Sequence, residues 1–298
     1  MIKRLRQSGI SLFLGLLLVM GAFASDKPLK PFENLIYDVM MRVSAKPFEG
    51  SELITLLDVD EGSLGEVGQW PWPRDRLAQI VDAANTGGAL VLVFDAIFSE
   101  PDRLSPDQIL QSMQGLESSV VAGGAKPPSF DKLFAEAIER GPVVLGQTSL
   151  TDQRVLGVDP MESRTIQARP TINLISSDPS LSVDGPPKGA RQLQGVLTNI
   201  PVLDNAASGL GVVTLPPDSD GISRAMPLVF AYKDRTLPSL ALETLRVALG
   251  SRGQMVRFDQ DGINTVVMQG QLGTLAIPTD PNGRLWVRFP ALPAGKKR

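Results

Sequence analysis

The chain contains no histidine and no cysteine. Without imidazole there is no serine–histidine pair, no histidine metal ligand and no local histidine to carry a phosphoryl group. Without thiols there are no disulfides, no thiolate metal sites and no cysteine nucleophile. Any metal would need oxygen ligands, which points to Mg²⁺ or Ca²⁺ rather than zinc. An excess of charge of either sign is also missing: 29 basic and 32 acidic residues leave a net charge of −3, so electrostatics give no case for nucleic acid as a partner. Long apolar runs are missing after Phe289, and no phosphate-cradling Gly-x-x-x-x-Gly-Lys or kinase motif occurs. No cofactor is implied.

What is present is a globular composition. The 298 residues suffice for one large domain or two ordinary ones, and 43% are hydrophobic. Twenty-eight glycines and 24 prolines imply many turns and ordered loops rather than a helical bundle.

The N-terminus carries Lys3, Arg4 and Arg6 before an uncharged, mostly apolar run from Gly9 to Ala24. The run is shorter than the roughly 20 residues of a full span. It reads either as a cleaved signal peptide, with Ala22-Phe23-Ala24 at the cleavage site, or as a signal-anchor with its basic end in the cytoplasm. Residues 1–25 are therefore expected to be an anchor or signal, and 26–298 an exported domain. Phe32, Leu35, Ile36, Val39, Met40 and Val43 fall on one helical face, expected to dock on the core.

The chain is organised around residues 53–102. Leu53–Val59 and Leu90–Phe94 read as strands, the first ending in the acids Asp58 and Asp60, the second followed by Asp95, Glu100 and Asp102. A Gly-rich turn is expected at Glu61–Gly65, and a helix over Asp75–Asn85 stopped by Gly87-Gly88. Strand, helix, strand predicts a βαβ crossover, which would place the acids at the carboxyl ends of neighbouring parallel strands. Trp70-Pro71-Trp72-Pro73 cannot be helical, and it precedes Arg74. The tryptophans read either as a clamp over the core or as a pocket wall, with Arg74 neutralising a neighbouring acid or binding an anionic group.

Trp-Pro-Trp-Pro-Arg, a helix, Gly88-Ala89, then Phe94-Asp95-x-x-Phe98-x-Glu100-Pro101-Asp102 resembles the CHASE2 family. Those are extracytoplasmic sensor modules of bacterial transmembrane receptors. The resemblance runs from about Phe32 through most of the chain. A second similar block spans Asn199–Leu203, Ala206–Gly211 and Pro217–Leu228. The resemblance implies the sensor half of a receptor, anchored in the inner membrane with the domain in the periplasm or outside the cell. The output module that such receptors drive is not in this sequence.

Elsewhere, helices are expected at Pro106–Leu116, Phe130–Arg140 and Pro238–Leu249, and strands at Pro142–Gly146 and Val212–Leu215. Residues 151–190 are polar and proline-rich and read as a variable insertion rather than a lid. Asp218-x-Asp220-Gly221 starts like a calcium loop but lacks the later acidic ligands, so a hairpin turn is expected, with Arg224 on the returning strand. From Met255 on, short strands alternate with Asp261-Gly262 and Asn282-Gly283 turns. The fold class is thus α/β: a mainly parallel sheet with flanking helices, plus a small C-terminal antiparallel element.

The leading expectation is a sensor with an unknown small-molecule ligand, bound near Asp58, Asp60, Trp70, Trp72, Arg74, Asp95, Glu100, Asp102 and Arg224. A homodimer is left open. Two alternatives stand beside it: an exported hydrolase whose strand-end acids hold Mg²⁺ or Ca²⁺, and a structural periplasmic interaction module.

Overall fold

The computed structural model describes residues 30–45, 53–112, 127–150, 172–271 and 273–290. The chain divides into two compact units, Met1–Leu57 with Arg288–Arg298, and Asp58–Val287.

In the first unit, helix α1 (Lys30–Ser44) forms where the 3.6-residue apolar period predicts it. Its apolar face is not buried, contrary to expectation. Phe32, Ile36 and Val43 are 64%, 59% and 83% exposed, whereas Asn34 is 7% exposed. The expected strand at 53–59 does not form either. An apolar run becomes a strand only by joining a sheet ladder, and 53–59 joins none among the described residues; Leu53, Ile54, Leu56 and Leu57 are exposed.

The second unit opens with α2 (Glu61–Val67), which replaces the expected turn. Asp60 explains it. The Asp60 carboxylate accepts hydrogen bonds from Ser63 N at 2.8 Å and Ser63 Oγ at 2.7 Å, an N-cap that outweighs the glycines. Then come α3 (Arg74–Thr86), β1 (Leu92–Phe94), α4 (Pro106–Ser112), α5 (Phe130–Glu139) and β2 (Val143–Leu150). Next are β3 (Ile172–Ser176), β4 (Arg191–Gln192), β5 (Gly195–Leu197), α6 (Pro201–Ala206) and β6 (Gly209–Val212). The chain closes with β7 (Ala225–Pro227), β8 (Val229–Tyr232), β9 (Arg235–Pro238), α7 (Leu240–Ala248), β10 (Gln254–Phe258), β11 (Ile263–Gly270), β12 (Gly273–Pro278) and β13 (Arg284–Trp286).

One sheet runs parallel through β1, β2 and β6, and β5 joins the far end of β2 antiparallel. The crossover that forms is β1–α5–β2, one unit later than the sequence pattern suggests. Leu77 and Val81 of α3, Phe134 and Ile138 of α5, and Leu203 of α6 bury their apolar stripes in the core beside this sheet. The expected strand at 212–215 sits earlier, at Gly209–Val212, where the backbone pairs with β2; Gly211 has to be small there, since a Cβ would lie 2.4 Å from Leu240 Cα. The second sheet, in the order β12-β11-β10-β3, is antiparallel except where β3 joins β10 in parallel. It packs its own core with Leu242 of α7. The parallel sheet with helices, accompanied by small antiparallel sheets, is the fold class the sequence predicts.

Two hairpin expectations are corrected. Asp261-Gly262 does join paired strands, β10 and β11, but neither Asp220-Gly221 nor Asn282-Gly283 does. Both are tight turns, with Gly221 and Gly283 at positive φ, yet the strands that follow them, β7 and β13, pair with each other.

A buried polar brace ties α7 to its surroundings. Glu243, 2% exposed, accepts from Arg246 Nη2 at 2.7 Å and Gln254 Nε2 at 2.9 Å, and Arg246 also donates to the Ser208 carbonyl. Pairing and hydrogen bonds satisfy the charge that burial would otherwise penalise.

Candidate functional site

The loop Asp95–Asp102 leaves the carboxyl end of β1 and is held at both faces. Phe98 N donates to Asn199 Oδ1 at 2.7 Å, and Ile200 N donates to the Phe98 carbonyl at 2.8 Å. Asn199, fully buried, also donates to the Gly146 carbonyl at 3.1 Å and to Asp204 Oδ1 at 2.8 Å. Gly146 has to be small: a Cβ there would lie 2.8 Å from Val213 Cγ1 and 3.1 Å from the Ala96 carbonyl. The Phe98 ring then meets Phe94 and Phe134 edge to face, with centroids 5.7 and 5.3 Å away.

The end of this loop completes the start of α3. Pro73, at the N-cap position, has no side-chain oxygen to offer. Asp102 supplies one from 28 residues away. Its Oδ2 accepts from Arg74 N at 2.7 Å, and its Oδ1 accepts from Leu104 N at 2.9 Å. Trp-Pro-Trp-Pro-Arg and Phe-x-Glu-Pro-Asp are therefore two halves of one helix cap. Above it, the Arg74 guanidinium lies 4.2 Å from the centroid of Phe98, in cation–π geometry.

Asp131, in the first turn of α5, is the third member. Its Oδ2 accepts from Asp102 N at 3.0 Å, and its Oδ1 stands 3.6 Å from Arg74 Nε. That separation is too long for a hydrogen bond, so both atoms are buried without one, although their charges still attract. Burial pushes the Arg74 guanidinium down and the Asp131 carboxyl up from their ordinary pKa values. The Arg74–Asp131 attraction opposes both shifts. Asp131 went unnoticed in the sequence because an acid in a first helical turn is commonplace. Asn199 stands out in the sequence only as part of the second family-like block.

Beside this cluster lies a cavity of about 500 Å³. Of the nine expected ligand residues it gathers five: Trp70, Trp72, Arg74, Glu100 and Asp102. Both readings of the tryptophans hold in part. Trp72 is 8% exposed in the core and its Nε1 donates to the Gly68 carbonyl at 2.8 Å, while Trp70 is 43% exposed and meets Trp72 edge-on at 5.8 Å. The Trp70–Pro71 bond is cis. Arg103 pairs with Glu100 at the exposed rim.

The other four residues stand elsewhere. Asp58 is exposed and follows no strand, and Asp60 caps α2. Asp95 is exposed at the end of β1 and is not part of the cavity wall. Arg224, 2% exposed, is paired with Asp218 at 3.4 Å and Asp220 at 2.7 Å. Among the described residues no three carboxylates converge as metal ligands, so the Asp58, Asp60 and Asp95 set proposed for a metal hydrolase is not assembled.

The Asp220–Arg224 pair makes a pH prediction. Hydrogen bonds from Arg224 hold the Asp220 carboxyl at about 2, below the usual carboxylate range near 4. A depressed folded-state pKa gives stability that is present above the unfolded value and lost as pH falls through the folded one. Asp220→Asn is expected to lower the melting temperature most above pH 4, with the two proteins converging toward pH 2. A constant difference across that range would refute the assignment.

Compared with known families, residues 13–297 match the CHASE2 domain. Comparisons with curated proteins and with solved structures return no match. The family match spans both motif blocks, including the two halves of the α3 cap. The chain belongs to the CHASE2 domain family, a family of extracytoplasmic sensor domains.

Proposed function

We propose that this chain is a membrane-anchored extracytoplasmic sensor that binds a small molecule in the Trp70–Asp102 cavity. The observation that carries the reading is the cavity itself. Its volume of about 500 Å³ falls in the range of small-molecule sites, and it combines an aromatic wall with a few fixed polar groups. Ala96–Leu104 line it on one side, and Asp102 ties that loop to α3. A ligand that binds one arrangement of loop and helix more tightly shifts the population toward it.

The anchor is the Gly9–Ala24 run, which lies outside the described residues. Among the described residues, no helix is long and apolar enough to cross a membrane. The family consists of sensors, and the reading assigns no reaction to the cavity.

The chain has three tryptophans, and two of them, Trp70 and Trp72, line the cavity. Intrinsic fluorescence and thermal unfolding therefore report on it directly. Screened against small carboxylates, amines, sugars and aromatic compounds, the protein is expected to show one class that changes its fluorescence and raises its melting temperature. At about 100 times Kd the stabilisation is roughly 2.7 kcal/mol. Trp70→Ala is expected to abolish both effects without unfolding the protein, since Trp70 is partly exposed. A ligand whose stabilisation survives Trp70→Ala unchanged would place the site elsewhere.

A further inference from the structure

Helix α1 leaves its apolar side exposed. Its polar side is the covered one: Asn34 is 7% exposed, and Tyr37, Asp38 and Met41 are half-buried. Its apolar side, from Phe32 through Ile36 and Val39 to Val43, is 48–83% exposed. Hydrophobic burial in its own chain does not account for that stripe.

The spacing says what kind of surface it is. Phe32, Ile36, Val39 and Val43 follow one another at intervals of four, three and four residues, the alternation of a heptad seam. In that register Ile36 and Val43 occupy a positions and Phe32 and Val39 occupy d positions. β-Branched side chains at a favour two strands. Leu35 and Met40 then take g and e, five residues apart, the pair that meets across a parallel dimer. Glu33, Asp38 and Arg42 all lie off the a and d seam.

We propose that this stripe is the contact between two copies of the chain, forming a short parallel two-stranded coil. The orientation rests on the anchored reading above. The apolar run ends at Ala24 and α1 begins at Lys30, so the helix starts within about 20 Å of the membrane at roughly 3.3–3.6 Å per residue. Two anchored copies therefore present α1 in the same direction and at the same height. A helix of 15 residues is too short to pair stably by itself. Confinement to one membrane raises the effective concentration and makes the second contact nearly intramolecular.

The natural absence of cysteine makes the test clean. The full chain, expressed in membranes, is given a single cysteine at the seam (Ile36→Cys or Val39→Cys) or opposite it (Asp38→Cys or Met41→Cys), and is oxidised with copper phenanthroline. Seam variants are expected to give at least five times more covalent dimer than the opposite face. Adding Val39→Glu to Ile36→Cys is expected to abolish it. Equal cross-linking on both faces would overturn the proposal. So would no cross-linking at the seam, whether the Ile36→Cys thiol reacts with a water-soluble maleimide (a monomer) or resists it (a stripe lying on lipid). Carbonate extraction of the same membranes tests the anchor separately. Release into the supernatant would refute anchoring, and seam-specific cross-linking of the released chain would still support the interface.

Discussion

Arg74→Ala is expected to destabilise the protein by about 3–5 kcal/mol at neutral pH, the usual consequence of removing one partner from a buried charge pair. Arg74 is 9% exposed, and its guanidinium lies over Phe98 and 3.6 Å from Asp131. Deleting it leaves Asp131, 6% exposed, with no cation, and removes the stacking contact with the ring. The cost depends on pH. Burial already raises the Asp131 pKa and Arg74 opposes that rise, so without Arg74 the carboxyl moves further up. A raised folded-state pKa means that the folded state holds its proton longer, so stability falls as pH rises through that range. Urea unfolding should therefore show a larger deficit for Arg74→Ala at pH 7 than at pH 4.5. Arg74→Ala combined with Asp131→Ala should recover part of the loss at pH 7. A deficit below about 1 kcal/mol, or one independent of pH, would show that the pair does not hold the site together. Arg74→Lys is not an equivalent substitution, because an ammonium cannot stack flat on Phe98.

The second large effect is expected at Phe134. The side chain is fully buried, edge-on to Phe94 at 5.5 Å and to Phe98 at 5.3 Å. Phe134→Ala should cost about 3–5 kcal/mol through lost transfer energy and the cavity left behind. Its neighbour Leu133 is 40% exposed, and Leu133→Ala should cost far less. Because Phe98 lines the Trp70–Asp102 cavity, the milder Phe134→Leu should, if the proposed ligand binds there, weaken the fluorescence response more than it lowers stability. Equal losses for Phe134→Ala and Leu133→Ala in urea unfolding would mean that the aromatic trio is not the centre of this core.

The pair at 133 and 134 illustrates what was legible in the sequence. An amphipathic pattern locates a helix and its general inward side, because the 3.6-residue period is a local property. By that logic α3 and α7 were predicted to within two residues at either end, and α5 to within one. The short apolar runs also located β1, within two residues, and its parallel partner β2, which continues four residues past the expected end at Gly146. The pattern set Leu133 beside Phe134 on one face, and only the approach of α5 to the sheet decided which of them is sealed.

The site divides in the same way. Trp70, Trp72, Arg74, Glu100 and Asp102 were identifiable from composition and turn chemistry, and they do converge. Asp58, Asp60, Asp95 and Arg224 looked equally suitable, but each has another place. Asp60 caps the helix beside it, and Arg224 is enclosed by Asp218 and Asp220. Asp58 and Asp95 are associated only through an expected strand at 53–59, which does not form.

By itself the sequence determined the period and ends of the main helices, the family, and the exclusion of thiol and imidazole chemistry. The tertiary structure alone decided that Asp102 caps α3, that Asp131 faces Arg74, and that the apolar stripe of α1 is exposed. Periodicity and capping preferences act over one or two turns of chain. Asp102 reaches Arg74 N across 28 residues and Asp131 accepts from Asp102 N across 29, and only the packing of two helices against one sheet brings them within hydrogen-bonding distance.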